Sequence, residues 1–338
     1  MAKVSNSFTT YDAKANREDL SNSIYNIDPM DSPVVSMIGR RSVSNRTFDW
    51  QTEKLPNVDI TAREEGFELQ RSLSTPTVRV KNVAQINSRD ATVSGSKESA
   101  DPAGKKSELA HQMALVSKAL KRDVEVALCS TQALDYGTTA SPVRKTRGLM
   151  HWLATNVDAP AGTVLPATET AAYPVIAAGS LREFTEDMLG NAMQKAYDNG
   201  AEPNTLICRP DLKRQVSGFK GRDISQVMVG KTEVSNVVDI YASDFGRLKV
   251  VPSRWMPLNT VLLLDPEYAA MANYRSFQQK EMARIGDAET RMLLVEWGVE
   301  MKNEAAHAAI IGVKAKSTIT PSTVAVPLEE AVPAAAAK

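Results

Sequence analysis

Residues 104–130, GKKSELAHQMALVSKALKRDVEVALCS, decide the fold, because they carry one long helical pattern in a chain that elsewhere alternates like strands. Asp101 or Ser107 could cap the start of this helix. A helix of about 28 residues would be roughly 42 Å long. Such a helix would span a whole subunit. Its apolar residues recur every three or four positions, the spacing of one buried face: Leu109, Met113, Val116, Leu120, Val124 and Ala127.

Length and composition limit the possible classes of protein. The 338 residues can form a large core and two subdomains. Lys and Arg number 40, as do Asp and Glu, and this balance argues against a dedicated nucleic-acid binder. We expect no membrane span, since no run approaches about 18 apolar residues, and no secretory signal. Cys129 and Cys208 stand beside apolar residues and are predicted to be buried thiols.

The N-terminal half has extended chain that could not fold alone. Residues 1–33 are polar with scattered apolar positions and predict an arm that docks on another surface. A short helix in SPVVSMIGRR should end at Gly39. In NRTFDWQTEK, Phe48 and Trp50 share one face of a predicted strand. A second strand, TVRVKNVAQINSRDATVSGS, slips in phase after Val80, which indicates a bulge or bend. Together, residues 44–94 predict a long two-stranded excursion that needs a neighbour.

The C-terminal half predicts a compact α/β subdomain over residues 138–265. Loops should fill 135–179, and a helix in SLREFTEDMLGNAMQKAYDNG should have Ser180 as its N-cap, Glu183 in a capping box and Gly200 at its end. Short strands are predicted in NTLIC, VVDIYA, RLKVV and TVLLLD.

A long half-buried strand is predicted in ETRMLLVEWGVEMKN, with Glu296 and Glu300 on the face opposite the apolar residues. HAAIIGVKA should pair with it. The C-terminal tail is rich in Ala, Pro and Val and is predicted to be mobile.

No catalytic, cofactor-binding or metal site is predicted. Glu108 and His111 form a single Glu-x-x-His pair, whereas di-metal sites need two pairs and further carboxylates. His151 and His307 stand beside apolar residues and are expected to be packing residues. The fragment Gly230–Lys231–Thr232 lacks the upstream glycine of a phosphate-binding loop. The serine-hydrolase elbow, His-Glu-x-x-His and Cys-x-x-Cys motifs are all missing from the sequence.

Four basic clusters have two open interpretations. They could form a solvated face, or they could contact other subunits or a phosphate backbone in a salt-dependent way. The clusters are Arg40–Arg41, Lys105–Lys106, Lys121–Arg122 and Arg144–Lys145-x-Arg147.

The order of these parts resembles the HK97-type major capsid proteins of tailed bacteriophages. Particular segments are similar to the family represented by the phage SU10 major capsid protein. They are SNSFTTYDAKANREDLSNSIYNIDPMDSPVVSMIG, DWQTEKL, TPTVRVKNVAQI and AGKKSELAHQMALVSKALKRDVEVALCS.

The resemblance implies an α+β, HK97-like capsid fold. Its parts would be an N-terminal arm, an extended β-hairpin called the E-loop, a P-domain with a long spine helix and a β-sheet, and an α/β A-domain. The implied bounds are 1–33 for the arm, 34–43 for the start of the P-domain, 44–94 for the E-loop, 95–137 for the spine-helix part of the P-domain, 138–265 for the A-domain, 266–315 for the return strands of the P-domain and 316–338 for the tail.

The implied function is a structural one, with no enzymatic activity and no cofactor. The chain would self-assemble into hexamers and pentamers that form the icosahedral or prolate head shell around a double-stranded DNA genome. Its implied partners are other copies of itself, the portal protein, a separate scaffolding protein, a cement or decoration protein and packaged DNA, but no membrane. It would be made and assembled in the host bacterial cytoplasm and reside in the virion capsid.

Inter-subunit contacts are implied by position in the fold. Glu64 and Glu65 would pair with basic residues of a neighbouring subunit near the tip of the E-loop. The aromatic anchors would be Phe48, Trp50 and Phe67 in the E-loop, and Phe8, Tyr11 and Tyr25 in the arm. Covalent cross-linking is not predicted, although Lys54 and Lys81 lie in the E-loop region.

The sequence leaves two alternatives open. The same fold is used by encapsulins, whose shells enclose cargo enzymes instead of DNA. A soluble α/β enzyme with a pocket in residues 138–265 is the other alternative. It would need a convergent polar site, which the sequence does not show.

Overall fold

The structure is a computed structural model that describes residues 32–53, 55, 60–68, 76–100, 105–219, 240–284 and 286–316. The predicted arm over 1–31, the Gly-Lys-Thr fragment and the tail from residue 317 lie outside the described residues. The described chain divides into two compact units. One contains residues 86–124 and 275–296; the other contains 32–85, 125–274 and 297–316.

The long helix, α3, spans Glu108–Cys129 and has 22 residues, so it is shorter than predicted. At its start, the Ser107 hydroxyl oxygen accepts a hydrogen bond from the Ala110 N–H at 3.1 Å. Ser107, one of the two predicted caps, is therefore confirmed. The predicted apolar face is confirmed at Leu109, Met113, Leu120 and Val124, which are buried. The helix end is more buried than the pattern indicated: Glu125, Leu128 and Cys129 are fully covered.

The first unit is a small sheet-on-helix layer. It contains β4 (Gln85–Ser94), the short helix α2 (Gly95–Ser99), the first part of α3, and parts of β11 (Ala269–Glu281) and β12 (Ala288–Met301). Within this unit, the strands are neighbours in the order β11-β12-β4. Its core consists of Ala91, Val93, Leu109 and Met113, with Val116 and Leu293 packed against them.

The second unit is built on a six-stranded mixed sheet of order β5-β13-β10-β7-β9-β8. Its strands are β5 (Val157–Asp158), β7 (Thr205–Cys208), β8 (Ile240–Ser243), β9 (Gly246–Pro252), β10 (Thr260–Leu264) and β13 (Ala308–Ile311). Helices α5 (Glu186–Asp198) and α6 (Pro210–Val216) supply further core residues, including Leu189, Met193 and Leu212. The predicted α/β character of this region is confirmed.

Smaller elements complete the second unit. They are α1 (Pro33–Met37), β1 (Gly39–Ser42), β2 (Thr47–Thr52), β3 (Val78–Val83), α4 (Leu149–Trp152), β6 (Arg182–Glu183), β14 (Val313–Lys314) and 3-10 turns at Ala178–Ser180, Pro266–Tyr268 and Glu304–Ala306. The phase slip predicted after Val80 is a break at Ala84, between β3 and β4.

Two predicted helix ends are wrong. Helix α5 is capped by the Thr185 side chain, which accepts a hydrogen bond from the Met188 N–H, whereas Ser180 and Glu183 precede the helix. Thr185 stands directly before two acidic residues. Its side chain accepts from a free N–H of the first helical turn, and the two carboxylates lie favourably at the positive end of the helix dipole. Gly39 opens β1 and does not cap α1, whose last residue is followed by extended Ile38. Gly200 is confirmed as the stop after α5, with φ of 81°.

Two expectations about the long return strand are also wrong. From Leu294 to Met301, β12 is buried on both faces, because Glu296 and Glu300 are covered and pair with arginines. Arg275 Nε lies 2.7 Å from Glu296, and Arg41 lies 2.7 Å from Glu300. The segment HAAIIGVKA does not pair with β12; β13 lies between β10 and β5 instead.

Candidate functional site

The candidate site is the β2–β3 hairpin and the polar contacts that fix its base, all within the second unit. The two strands are antiparallel, with a register from Thr47↔Val83 to Thr52↔Val78. An exposed ion pair joins Arg79 to Asp49 across the strands. A two-stranded ribbon is therefore present over 47–83, but the predicted bounds of 44–94 are too wide, because β4 (Gln85–Ser94) lies beside β12 in another sheet.

Phe48 and Trp50 hold the base of the hairpin inside the subunit. The Phe48 side chain is 5% exposed and lies over Gly298, where an added Cβ would meet the ring at 2.7 Å. The Trp50 ring stacks on Phe48, with ring centroids 6.0 Å apart. It also contacts the Trp152 ring, with centroids 5.5 Å apart. The expectation that Phe48 anchors the hairpin on another subunit is corrected, because its own chain already covers it.

Asn82 ties the same base to two other segments. Its side-chain N–H₂ donates to the Val299 carbonyl at 2.6 Å, and its oxygen accepts from the Arg147 N–H at 3.1 Å and the Val83 N–H at 2.8 Å. The Thr146 hydroxyl accepts from the Val299 N–H at 3.2 Å. Because Asn82 is fully buried, these bonds specify one orientation of the hairpin base.

Arg147 is a buried structural residue at the hairpin base that sequence reasoning missed. Its place in a basic cluster predicts a solvated face or a contact with other subunits or a phosphate backbone, yet it is 9% exposed. Its guanidinium lies 4.1 Å from the Trp152 ring centroid, and its Nε donates to His151 Nδ1 at 2.8 Å. No local sequence signal marks this contact, because Arg147 precedes α4 and meets Trp152 through the fold of the loop.

His151 must be neutral with its proton on Nε2. Nδ1 accepts from Arg147, and Nε2 lies 2.7 Å from the Ala171 carbonyl, which can only accept. Burial lowers the pKa of His151, and the nearby Arg147 adds to this. The imidazole is thus a structural linker, as the sequence indicated.

The outer part of the hairpin is solvent-exposed. Glu64, Glu65 and Phe67 lie there, and Arg63 is placed over the Phe67 ring at 5.2 Å from its centroid. Large apolar side chains are exposed as well: Leu55 is 93% and Ile60 is 92% exposed. The structure thus separates a covered base from an uncovered outer region that carries both charged and apolar groups.

A buried carboxylate fixes the point where the predicted arm would join the fold. Glu125 of α3 accepts hydrogen bonds from the N–H groups of Val34 at 2.9 Å and Val35 at 2.8 Å. It replaces the missing side-chain cap of α1, since Ser32 makes none. Burial raises the pKa of Glu125 although both N–H groups oppose the rise. The arm anchors Phe8, Tyr11 and Tyr25 lie outside the described residues.

Groups with catalytic potential are placed as structural residues. Cys129 and Cys208 are buried and unpaired, and burial raises the pKa of both thiols. His307 is fully buried. Within the described ranges, no cluster of three or more His, Cys, Asp or Glu could hold a metal ion. Among the helices that the structure describes, none has the length and apolar character to cross a lipid bilayer.

An α+β chain with a long helix, a two-stranded hairpin and a mixed sheet has the elements of the HK97-like fold of shell-forming capsid proteins. The SU10 major capsid protein family matches residues 3–314, and the chain belongs to this family. It is thus a bacteriophage major capsid protein, a component of the virion capsid that assembles into capsomers. The family has a structural role.

Individual relatives support this assignment. The major capsid protein of Escherichia phage Phieco32 is 25% identical over 334 residues, which cover 88% of this chain and 94% of the relative. The capsid of a native GTA particle is similar with a TM-score of 0.62 and 13% identity, covering 90% of this chain and 98% of that one. A structure from Mycobacterium phage Bobi is similar with a TM-score of 0.61 and 12% identity, covering 91% of this chain and 99% of that one.

The encapsulin alternative is supported by the fold alone. The holo-SrpI encapsulin complex of Synechococcus elongatus PCC 7942 gives a TM-score of 0.54 and 11% identity, covering 90% of this chain and 96% of that chain. The family match favours the phage capsid.

Proposed function

We propose that the chain assembles into hexamers and pentamers that close as an icosahedral or prolate head shell around double-stranded DNA, with each hairpin lying on a neighbouring subunit. The observation that carries this proposal is the exposed apolar surface of the hairpin outside its base. Leu55, Ile60 and Val78 are 93%, 92% and 63% exposed. Soluble proteins keep such side chains together in one region mainly where a partner covers them.

The energetics favour a partner over an isolated hairpin. A two-stranded ribbon is marginally stable by itself in water. Burying one large apolar side chain stabilises by about 1.5–3 kcal/mol, so two or three such residues per subunit would contribute about 3–9 kcal/mol to the contact. A contact between a hairpin and a different surface on the next subunit is heterologous, and such contacts generate rings.

The proposed contact residues follow from this arrangement. Glu64, Glu65 and Phe67 would meet the neighbouring subunit at the hairpin tip, the two carboxylates opposite basic side chains. Phe8, Tyr11 and Tyr25 would anchor the arm on adjacent subunits. The arm, E-loop, P-domain and A-domain bounds given by the resemblance belong to the same proposal.

The other proposed partners come from the family resemblance. They are a portal protein, a separate scaffolding protein, a cement or decoration protein, and packaged DNA in non-specific contact with the inner surface. Equal numbers of acidic and basic residues suit a weak, salt-dependent contact with DNA. Assembly would take place in the host bacterial cytoplasm.

Charge reversal tests the hairpin contact. Glu64→Lys with Glu65→Lys should lower the yield of closed particles strongly, because like charges would then face each other at the contact. Particles are counted by sedimentation and negative-stain microscopy after co-expression with a scaffolding protein. The matched control is Asp198→Lys with Glu202→Lys, which changes the net charge equally at exposed sites outside the hairpin. Equal yields from both double variants would refute the proposed contact.

A further inference from the structure

Four polar residues meet where the hairpin joins the rest of the second unit. Gln85 lies two residues beyond β3, and its Oε1 accepts from Gln132 Nε2 at 2.8 Å and from the Thr146 N–H at 3.2 Å. Gln132 Nε2 also donates to the Thr146 carbonyl at 2.7 Å. Asn82, whose bonds are described above, is the fourth member. We refer to Asn82, Gln85, Gln132 and Thr146 as the polar junction.

Thr146 lies at the centre of the polar junction and is fully buried. Its N–H, its carbonyl and its hydroxyl oxygen are engaged by Gln85, Gln132 and the Val299 N–H, respectively. A fully buried polar group that loses its partner cannot bond to water instead, so the fold loses stability. All these bonds are therefore made together in only one arrangement of the three segments that meet here, which are the end of the hairpin, the loop after α3 and β12.

A small change of angle at the base of the hairpin is enlarged along its length. The ladder joins Thr47–Thr52 to Val78–Val83. At about 3.3 Å per residue, such a ladder is about 17 Å long. A swing of about 10° at the base would therefore move its far end by about 3 Å, roughly the length of a hydrogen bond. Any contact made by the outer part of the hairpin thus depends on the angle at the base.

The apolar contacts at the hairpin base do not fix this angle by themselves. Phe48 packs on Gly298 and Trp50 on Trp152, and burial of apolar surface depends little on direction. Hydrogen bonds weaken steeply once they are bent. The rings thus hold the base in place, whereas the polar junction sets the direction in which the hairpin projects.

We propose that Gln85 and Gln132 are positioning residues for assembly, which fix the angle of the hairpin and so the geometry of its contact with the next subunit. This inference rests on the proposed hairpin contact. The two side chains act through the direction of the hairpin and need not touch the neighbour themselves. Without their hydrogen bond, the free subunit should sample a wider range of hairpin angles, and shells built from it should be irregular.

Replacing Gln85 tests this role. Gln85→Met has a similar length but no oxygen, whereas Gln85→Glu keeps a carboxylate oxygen that can accept from both Gln132 and Thr146. Gln51→Met is the matched control, because Gln51 is exposed on the same hairpin and lies outside the polar junction.

The direction of the hairpin is measured in unassembled subunits by pulsed electron spin resonance. One spin-labelled cysteine replaces Glu53, just beyond the end of β2, and the other replaces Arg214 on α6; both positions are exposed in the second unit. The native thiols are buried and should not take the label. The wild type, Gln85→Glu and Gln51→Met should give one narrow distance distribution, whereas that of Gln85→Met should be wider by about twofold or more.

Particles of the same variants are counted by negative-stain microscopy after co-expression with a scaffolding protein. Gln85→Met should give an excess of open or irregular particles, and Gln85→Glu should give regular ones. Gln132→Met removes the same bond from its other side and should have a similar effect. The double variant should add little to either change, because both substitutions break one shared hydrogen bond.

A lower melting temperature of Gln85→Met with an unchanged distance distribution would show a merely structural role and overturn the proposal. Regular particles from a variant with a widened distribution would overturn it too, as would equal widening in Gln51→Met. If Gln85→Met does not fold, the same measurements on Gln132→Met decide. Absence of wild-type particles would instead refute the proposed shell, so the two failures are distinguishable.

Discussion

At the scale of single residues, buried ionisable side chains join segments that are far apart in the chain. Cys129, Cys208, His151 and His307 lie in the core, as their apolar neighbours in the sequence indicated. Glu125 and Glu300 could not be recognised, because their partners are distant in the chain: Val34 is 91 and Arg41 is 259 positions away. Local patterns hold no information about such pairs.

His307 should make the stability of the subunit depend on pH. Its Nδ1 accepts from the Asp265 N–H at 3.1 Å, and burial lowers its pKa to about 4. The unfolded chain then binds the proton first, so stability is complete above the ordinary histidine pKa of about 6.5 and is lost as pH falls from there toward 4. The loss attributable to His307 is about 3 kcal/mol at the low end.

The measurement is urea unfolding of unassembled subunits at several pH values between 7.5 and 4. His307→Asn retains an acceptor for the Asp265 N–H but does not titrate, so it serves as the reference for all other ionisable groups. The stability of the wild type relative to this variant should fall by about 3 kcal/mol over this range. A constant difference would show that His307 is not held neutral by the fold.

At the scale of elements, periodicity predicted the long helix, the hairpin and the short strands of the mixed sheet. It failed where a neighbour from elsewhere in the chain decides. The alternation in β12 indicated one solvent face, yet Arg41 and Arg275 allow acidic residues to be buried there. The pairing of β13 with β10 and not with β12 could not be predicted either, because the sequence of an apolar strand does not specify which other apolar strand it pairs with.

The hairpin should respond to mutation in two different ways along its length. Phe48→Ala removes a buried ring from its base and should lower the free energy of unfolding of the free subunit by about 3–5 kcal/mol. Leu55→Ser with Ile60→Ser changes side chains that are more than 90% exposed and should leave that free energy within about 0.5 kcal/mol.

Urea unfolding of free subunits and particle yield are measured side by side for this comparison. The Leu55 and Ile60 variant should give few particles from a stable subunit, because only the contact with a neighbour is lost. If that variant assembles normally, the exposed apolar residues of the hairpin do not contact another subunit. If Phe48→Ala is as stable as the wild type, the base is not anchored as described.

At the scale of the whole molecule, we expect stability and assembly to depend on different surfaces. The base of the hairpin and the start of α1 are fixed inside the second unit by Asn82 and Glu125. Of the tip residues that the structure describes, Leu55, Ile60 and Phe67 are exposed and lie outside that core. The resemblance to a capsid family could be read from the arm, the hairpin strands and the long helix, whereas the buried polar network could not, because it joins loops whose positions the sequence does not encode locally.

The close fit between Phe48 and Gly298 has a consequence for the growth of a mutant phage. A side chain at position 298 would meet the Phe48 ring at 2.7 Å and the Val83 carbonyl oxygen at 2.9 Å. A phage carrying Gly298→Ala should therefore form plaques at low temperature and fail at high temperature. Revertants selected at high temperature should restore glycine at position 298, because a smaller residue at position 48 would leave the Val83 carbonyl oxygen in place. A plaque assay followed by sequencing would therefore test this packing contact without any purified protein.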